Sequence, residues 1–202
     1  AFSVLEKLIE HAASSGIGYM TLWAFSTENW RRDITEVRGI LTILRQGFKR
    51  FGKRMHAKGI RINVIGDISK FDQDIQQSLR DLIELTRNNT TITVIFALNY
   101  GGRDELLRAI QNLQIYRSTD LQTEDSRKIT EEEFQNYLDT AGIPDPDLII
   151  RTGGEQRLSG FLPWQSEYSE LYFPAWYMPD FTPERLDEAL EEFALRKRRY
   201  GR

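Results

Sequence analysis

The residues best equipped for chemistry sit in four short turns. Ser26-Thr27-Glu28-Asn29-Trp30, with Arg32 just beyond, gathers two hydroxyls, a carboxylate, an amide and a guanidinium. Arg151-Thr152-Gly153-Gly154 is followed closely by Arg157 and Ser159, Asn99-Tyr100 runs into a second Gly-Gly at 101–102, and Gly66-Asp67 forms the fourth turn. Guanidinium forks match the oxygens of a diphosphate, paired glycines let a backbone approach a ligand closely, and helix amino ends offer unpaired N–H groups to phosphate. Either Gly-Gly alone is better read as a tight turn, and neither is a Walker or dinucleotide motif. Their coincidence with arginines is what points to a grip on a diphosphate.

Glu170, just before Leu171-Tyr172-Phe173, offers a hard oxygen to Mg²⁺, an ion commonly held by one or two carboxylates plus phosphates. His11 and His56 fall on helical segments away from these turns, and no Ser-His-Asp or Cys-His arrangement is visible, so neither histidine receives a catalytic role.

The turns need a scaffold, and the hydrophobic periodicity supplies one. Leu5, Leu8, Ile9 and Ala12 share a helical face, and Tyr19 to Phe25 reads as a strand. Val37, Leu41, Leu44, Phe48, Phe51 and Met55 form one apolar stripe on a long helix that Gly59 ends. Arg61 to Ile65 is a strand, Gln73 to Arg87 a helix, and Thr91 to Leu98 a strand apolar enough to be covered on both faces. A helix follows from Asp104. Tyr116 to Lys128 is polar and irregular, the signature of a surface excursion.

Thr130 and Glu133 make a capping box, with Ile129 and Phe134 as its staple, so a helix begins near Glu131. Leu148 to Ile150 is a short strand. Thr182 caps a last helix opening at Pro183, with Leu186, Ala189, Leu190 and Phe193 facing inward. The expectation is an α/β fold: a single domain over residues 1–202 with one central, mainly parallel sheet between helices. In such a sheet ligands bind beyond the carboxyl ends of the strands, where the four turns lie.

Composition narrows the classes. At 202 residues, 40% hydrophobic and 28% charged, the chain can bury a substantial core. A net charge of −3 argues against a dedicated nucleic-acid binder. The absence of cysteine excludes disulfides and thiolate metal sites. The longest apolar runs are a handful of residues, far below the ~20 that span a bilayer. The reading is therefore a soluble or peripheral protein.

Ala24-Phe25-Ser26-Thr27-Glu28-Asn29-Trp30, Asn99-Tyr100-Gly101-Gly102-Arg103, Arg151-Thr152-Gly153-Gly154-Glu155-Gln156-Arg157-Leu158-Ser159 and Glu170-Leu171-Tyr172-Phe173 together resemble the signatures of the cis-prenyltransferases, the undecaprenyl diphosphate synthase family. The motifs keep the family's order and separations across essentially the whole chain. The resemblance implies condensation of isopentenyl diphosphate with an allylic diphosphate, farnesyl diphosphate being favoured, to give a cis-polyprenyl diphosphate. By the same resemblance Ser26, Thr27, Glu28, Trp30 and Arg32 line the substrate site. Arg151, Arg157 and Ser159, with Leu158 among them, take the isopentenyl diphosphate. Asn29 stands where proton removal is assisted; an amide is a weak base, so orienting the substrate is the role that fits it. Glu170 contributes to a Mg²⁺ site. The Val37–Met55 stripe resembles the helix lining the product's tunnel, although periodicity alone reads it as ordinary core.

Arg199-Tyr200-Gly201 resembles a carboxyl-terminal motif that reaches across a homodimer interface. Resemblance also implies work in the cytoplasm, at the surface of the membrane that receives the lipid. Family members begin with Asp-Gly-Asn-x-Arg-Trp, which supplies the catalytic aspartate, and continue with Gly-His-x-x-Gly; neither is among these residues. Ala1 aligns just after the second motif. The expectation is that the aspartate segment precedes Ala1 and that these 202 residues alone are inactive. Gln156, Gly160 and Met178 depart from commoner family residues at positions bearing on metal and tunnel.

Two rivals have their own logic. A non-catalytic subunit of the same family would also lack the aspartate loop, but it would not need Ser26 to Trp30, Arg151, Arg157 and Ser159. A generic nucleotide or sugar-phosphate binder would explain strand-end glycines and leave the joint spacing of the motifs unexplained. The helical trans-type prenyltransferases are a poor match, since no DDxxD appears and the β/α alternation independently disfavours them.

Overall fold

The computed structural model describes residues 2–119 and 128–196. Helix α1 (Phe2–Ser14) leads into strand β1 (Tyr19–Ser26), a short 3-10 turn (Thr27–Arg31) and the long α2 (Ile34–Ala57). Strand β2 (Ile60–Ile65), α3 (Gln73–Thr86), β3 (Ile92–Tyr100) and α4 (Gly102–Thr119) follow. The chain continues through α5 (Glu131–Gln135), β4 (Leu148–Ile150), β5 (Glu170–Tyr172) and α6 (Pro183–Leu195). The β/α alternation read from periodicity is therefore present.

Hydrogen bonding among the described residues gives two sheets rather than one: a parallel three-stranded sheet in the order β1-β3-β2, and a parallel pair of β4 with β5. At three residues, β5 is too short to show a period. The central strand is β3, as its composition required. Ile92, Val94, Phe96 and Leu98 face the main core, while Ile95 and Ala97 face a second cluster on the other side.

The main core is built by α1, α2, α3 and α6 against one sheet face. Val37, Leu44, Phe48, Phe51 and Met55 of the α2 stripe are buried in it, and Leu41 packs at its margin. Helices α2 and α3 approach closely: a Cβ on Gly52 would stand 2.6 Å from Leu82 Cδ1. The other face carries Tyr100, Leu162 and Phe161, and beyond it α4 and α5 bury Ala109, Leu113, Phe134 and Leu138.

Several local expectations change. Tyr116 to Thr119 are the last turn of α4, because the helix runs on past the expected start of the surface excursion; residues 120–127 lie outside the described set. Thr130 Oγ1 accepts from Glu133 N–H at 3.2 Å, but the Glu133 carboxylate turns to Arg117 instead of closing the box. Ile129 stays half exposed and α5 is only one turn long. Thr182 has the extended backbone of an N-cap, yet its hydroxyl makes no capping bond; it bonds the Glu184 side chain and helps hold that carboxyl below its ordinary range. The Arg199-Tyr200-Gly201 motif lies outside the described residues.

Candidate active site

Strand β1 contains a one-residue bulge. Trp23 pairs with Ala97 and Phe25 with Leu98, leaving Ala24 as the extra residue. Successive side chains alternate along a strand, so an inserted residue reverses the facing of everything beyond it. Phe25 therefore enters the main core, while Trp23 joins the opposite cluster, stacked on Phe161 with ring centroids 5.1 Å apart. The Trp23 indole N–H donates to the Tyr100 carbonyl at 3.2 Å.

Beyond the bulge the chain closes into the 3-10 turn. Ser26 N–H donates to Asn29 Oδ1 at 2.8 Å, which fixes the amide. With its oxygen occupied, Asn29 presents N–H donors, which suits orienting an oxyanion better than removing a proton. Burial opposes ionisation of Glu28. Hydrogen bonds from its own backbone N–H and the Ser26 and Thr27 hydroxyls, with the charge of Arg31, outweigh that and hold its carboxyl below the ordinary range.

The turn that follows β4 is organised around Arg151. Its Nη1 donates to Ser159 Oγ at 2.8 Å and to the Arg157 carbonyl. Ser159 holds φ at +52°, and Gly160 beside it at +86°. The two Gly-Gly pairs are structural. Gly153 N–H is bonded to the Trp176 carbonyl at 2.7 Å and Gly154 N–H to that of Pro174 at 2.8 Å, so neither is free for phosphate. Gly102 sits where a Cβ would lie 2.1 Å from Pro163 Cδ, and its N–H donates to the Gly160 carbonyl at 2.8 Å.

These turns enclose a cleft of about 510 Å³ lined by Trp23, Ser26, Glu28, Asn29, Arg32, Arg151 and Ser159. Six of the residues singled out from sequence thus converge on one cavity. The others lie elsewhere. Thr27 packs against Gly101, where a Cβ would meet its Oγ1 at 2.5 Å. Trp30 is wedged between Phe25 and Phe71 and donates its indole N–H to Asn99. Arg157 pairs with Glu155 at an exposed position, contributing only its carbonyl toward Arg151. Leu158 is half-buried, and its carbonyl accepts from Phe161 N–H at 3.0 Å. Glu170 opens β5, ion-paired to Arg196 at 3.0 Å.

Trp23 is the lining residue that sequence reasoning missed. Strict alternation groups it with Phe25, and only the bulge separates them. His11 bonds Asp187 at 2.7 Å, tying α1 to α6, in keeping with a structural part. Among the described residues no three Asp, Glu, His or Cys side chains cluster as a metal cage. Glu170, the carboxylate the sequence offered to a metal, is paired with Arg196 and is not among the residues lining the cleft.

Comparison with known proteins gives the same answer as the strand-end motifs. The family model described as putative undecaprenyl diphosphate synthase matches residues 1–201. The isoprenyl transferase of Rhizobium meliloti is 47% identical over 194 residues, covering 96% of this chain and 77% of that protein. That of Brucella suis biovar 1 is 44% identical over 197 residues, covering 98% and 77%. A probable undecaprenyl diphosphate synthase from Campylobacter jejuni superposes with a TM-score of 0.88 at 30% identity, over 99% of this chain and 91% of that one. Lavandulyl diphosphate synthase from Lavandula x intermedia, in complex with dimethylallyl diphosphate, superposes with a TM-score of 0.93 at 30% identity, over 100% and 86%. The chain belongs to the cis-prenyltransferase family of isoprenyl transferases. Its chemistry is prenyl-chain elongation.

Proposed function

We propose that the protein condenses isopentenyl diphosphate with an allylic diphosphate, farnesyl diphosphate being favoured, to form a cis-polyprenyl diphosphate such as undecaprenyl diphosphate. The observation that carries this is the convergence of Arg32, Arg151 and Ser159 with Ser26, Glu28 and Asn29 in one cleft.

Arg151 and Ser159 bind the isopentenyl diphosphate, with Arg157 and Leu158 shaping the loop that holds them, while Thr27 and Trp30 support the opposite wall. The isopentenyl double bond attacks the allylic C1, the C1–O bond breaks, and its electron pair leaves with the diphosphate. The new cation then gives up a proton to the released diphosphate, forming the cis double bond. Guanidinium groups aimed at the departing charge lower the barrier because they are already oriented before reaction. Asn29 orients the substrate. Glu170 would hold Mg²⁺ together with substrate oxygens, and the ion would supply charge neutralisation of the diphosphate.

The working unit is a homodimer, in keeping with Leu107 and Ile110, exposed three residues apart on α4 and available to a second copy. Among the described residues no helix is long and apolar enough to cross a membrane. The enzyme acts in the cytoplasm and meets the membrane only at its surface. The solved lavandulyl diphosphate synthase favours a second reading, a short-chain or branching enzyme on the same scaffold.

The deciding experiment incubates full-length protein with radiolabelled isopentenyl diphosphate and Mg²⁺, offering farnesyl, geranyl or dimethylallyl diphosphate in turn, and sizes the products. Long products from farnesyl diphosphate support elongation, and C10 products from dimethylallyl diphosphate support the second reading. No product from any of them would leave a non-catalytic subunit.

A further inference from the structure

Asn99 is 1% exposed and holds φ at +48°, the left-handed region that asparagine tolerates better than most side chains. A buried amide must satisfy both of its ends. Here Oδ1 accepts from the Trp30 indole N–H at 2.8 Å, and Nδ2 donates to the Asp67 carbonyl at 2.7 Å. One side chain on β3 thus joins the turn after β1 to the turn after β2. The circuit closes through aromatic contact, since Trp30 lies 5.6 Å from Phe71, the residue ending the 3-10 turn that Asp67 begins.

At this position glycine keeps the backbone angle and loses both bonds. Aspartate turns a second acceptor toward the Asp67 carbonyl. Leucine strains at positive φ and leaves the indole N–H without its partner. The Trp30 ring sits in an apolar niche against Phe25 and Phe71. Among the described residues its indole N–H bonds Asn99, and its neighbours in the chain are Asn29 and, two residues on, Arg32, both lining the cleft.

We propose that Asn99 is a positioning residue for the anion cleft, acting through the Trp30 indole to set Asn29 and Arg32. The inference rests on the reading of that cleft as a diphosphate site. It is tested in full-length protein with Asn99→Gly, Trp30→Phe and the double variant, using inorganic pyrophosphate titrated calorimetrically and the tryptophan indole N–H signals in a ¹⁵N-resolved spectrum. Trp30→Phe assigns the Trp30 signal and removes only the donor, so it reports even if Asn99→Gly folds poorly.

The expected result is displacement of the Trp30 signal in Asn99→Gly, about tenfold weaker pyrophosphate binding in each single variant, and a double variant no weaker than the worse single. An unmoved Trp30 signal with unchanged pyrophosphate affinity, or losses that multiply in the double variant, overturns the proposal. If the parent protein binds no pyrophosphate, the reading of the cleft falls, while the Trp30 signal still decides whether Asn99 positions the turn.

Discussion

Arg196 clasps Glu170: its Nη1 donates to Glu170 Oε2 at 3.0 Å and to the Leu171 carbonyl at 2.9 Å. The carboxylate proposed to complete the Mg²⁺ site already has a cation, which a metal ion must displace or share. A part-exposed pair of this kind is worth about 0.2–1 kcal/mol. Arg196→Gln is therefore expected to lower the Mg²⁺ concentration for half-maximal activity about two- to fivefold. An unchanged Mg²⁺ dependence would remove Glu170 from the metal site.

Arg151 is held ready by Ser159 and the Arg157 carbonyl, and charge-assisted bonds contribute about 1.5–3 kcal/mol each. Arg151→Ala is expected to weaken isopentenyl diphosphate binding by about 10- to 100-fold, with Lys restoring only part because it lacks the fork. Ser159→Ala should cost less, about three- to tenfold. Thermal unfolding should hardly change in either, since neither side chain is in the core. Calorimetric titration and melting curves together separate binding loss from misfolding.

Glu105 is 1% exposed, and burial pushes its carboxyl above the ordinary range; the nearby Asp139 charge adds to that, against hydrogen bonds from Tyr100, Gln165 and the Asp139 N–H. A raised folded-state pKa gives stability that is present below the unfolded value, about 4.3, and lost as pH rises through the folded value. Glu105→Gln cannot titrate. Its stability relative to the parent should therefore rise with pH across that window, whatever the constant offset between them. Denaturant melts at a series of pH values read this slope, and a slope of opposite sign defeats the assignment.

Two glycines should respond oppositely to alanine. At Gly102 a Cβ would fall 2.1 Å from Pro163 Cδ and 2.6 Å from the Gly160 carbonyl oxygen, so Gly102→Ala must push the Ser159 loop away. A loss of about 2 kcal/mol or more is expected, with activity falling alongside. Gly39, exposed on α2 with nothing within 4 Å of its Cβ position, should gain about 0.5–1 kcal/mol as alanine. Chemical denaturation of both variants is the check.

Much of this was legible in advance because it depends on local pattern. The α2 stripe and the β3 run announced their burial through spacing and composition, and arginines beside strand-end turns announced an anion site. What stayed hidden depends on geometry between distant segments. Nothing in the order of residues says that Gly153 and Gly154 spend their N–H groups on Trp176 and Pro174, or that the Glu133 carboxylate prefers Arg117 to its own helix cap. Asn99 looked like an ordinary turn residue because its partners, Trp30 and Asp67, are 69 and 32 positions away.

The bulge in β1 gives Ala24 an unusual status. Its side chain is exposed and makes no demand on chemistry, so most substitutions there should pass unnoticed. Deleting it is another matter, because Trp23 and Phe25 face opposite sides of the sheet and the extra residue between them is what permits it. Without it, either Phe25 leaves the main core or Trp23 leaves the cleft wall. The strand is thus tolerant in alphabet and intolerant in length, a constraint visible to insertions and deletions and invisible to point mutation.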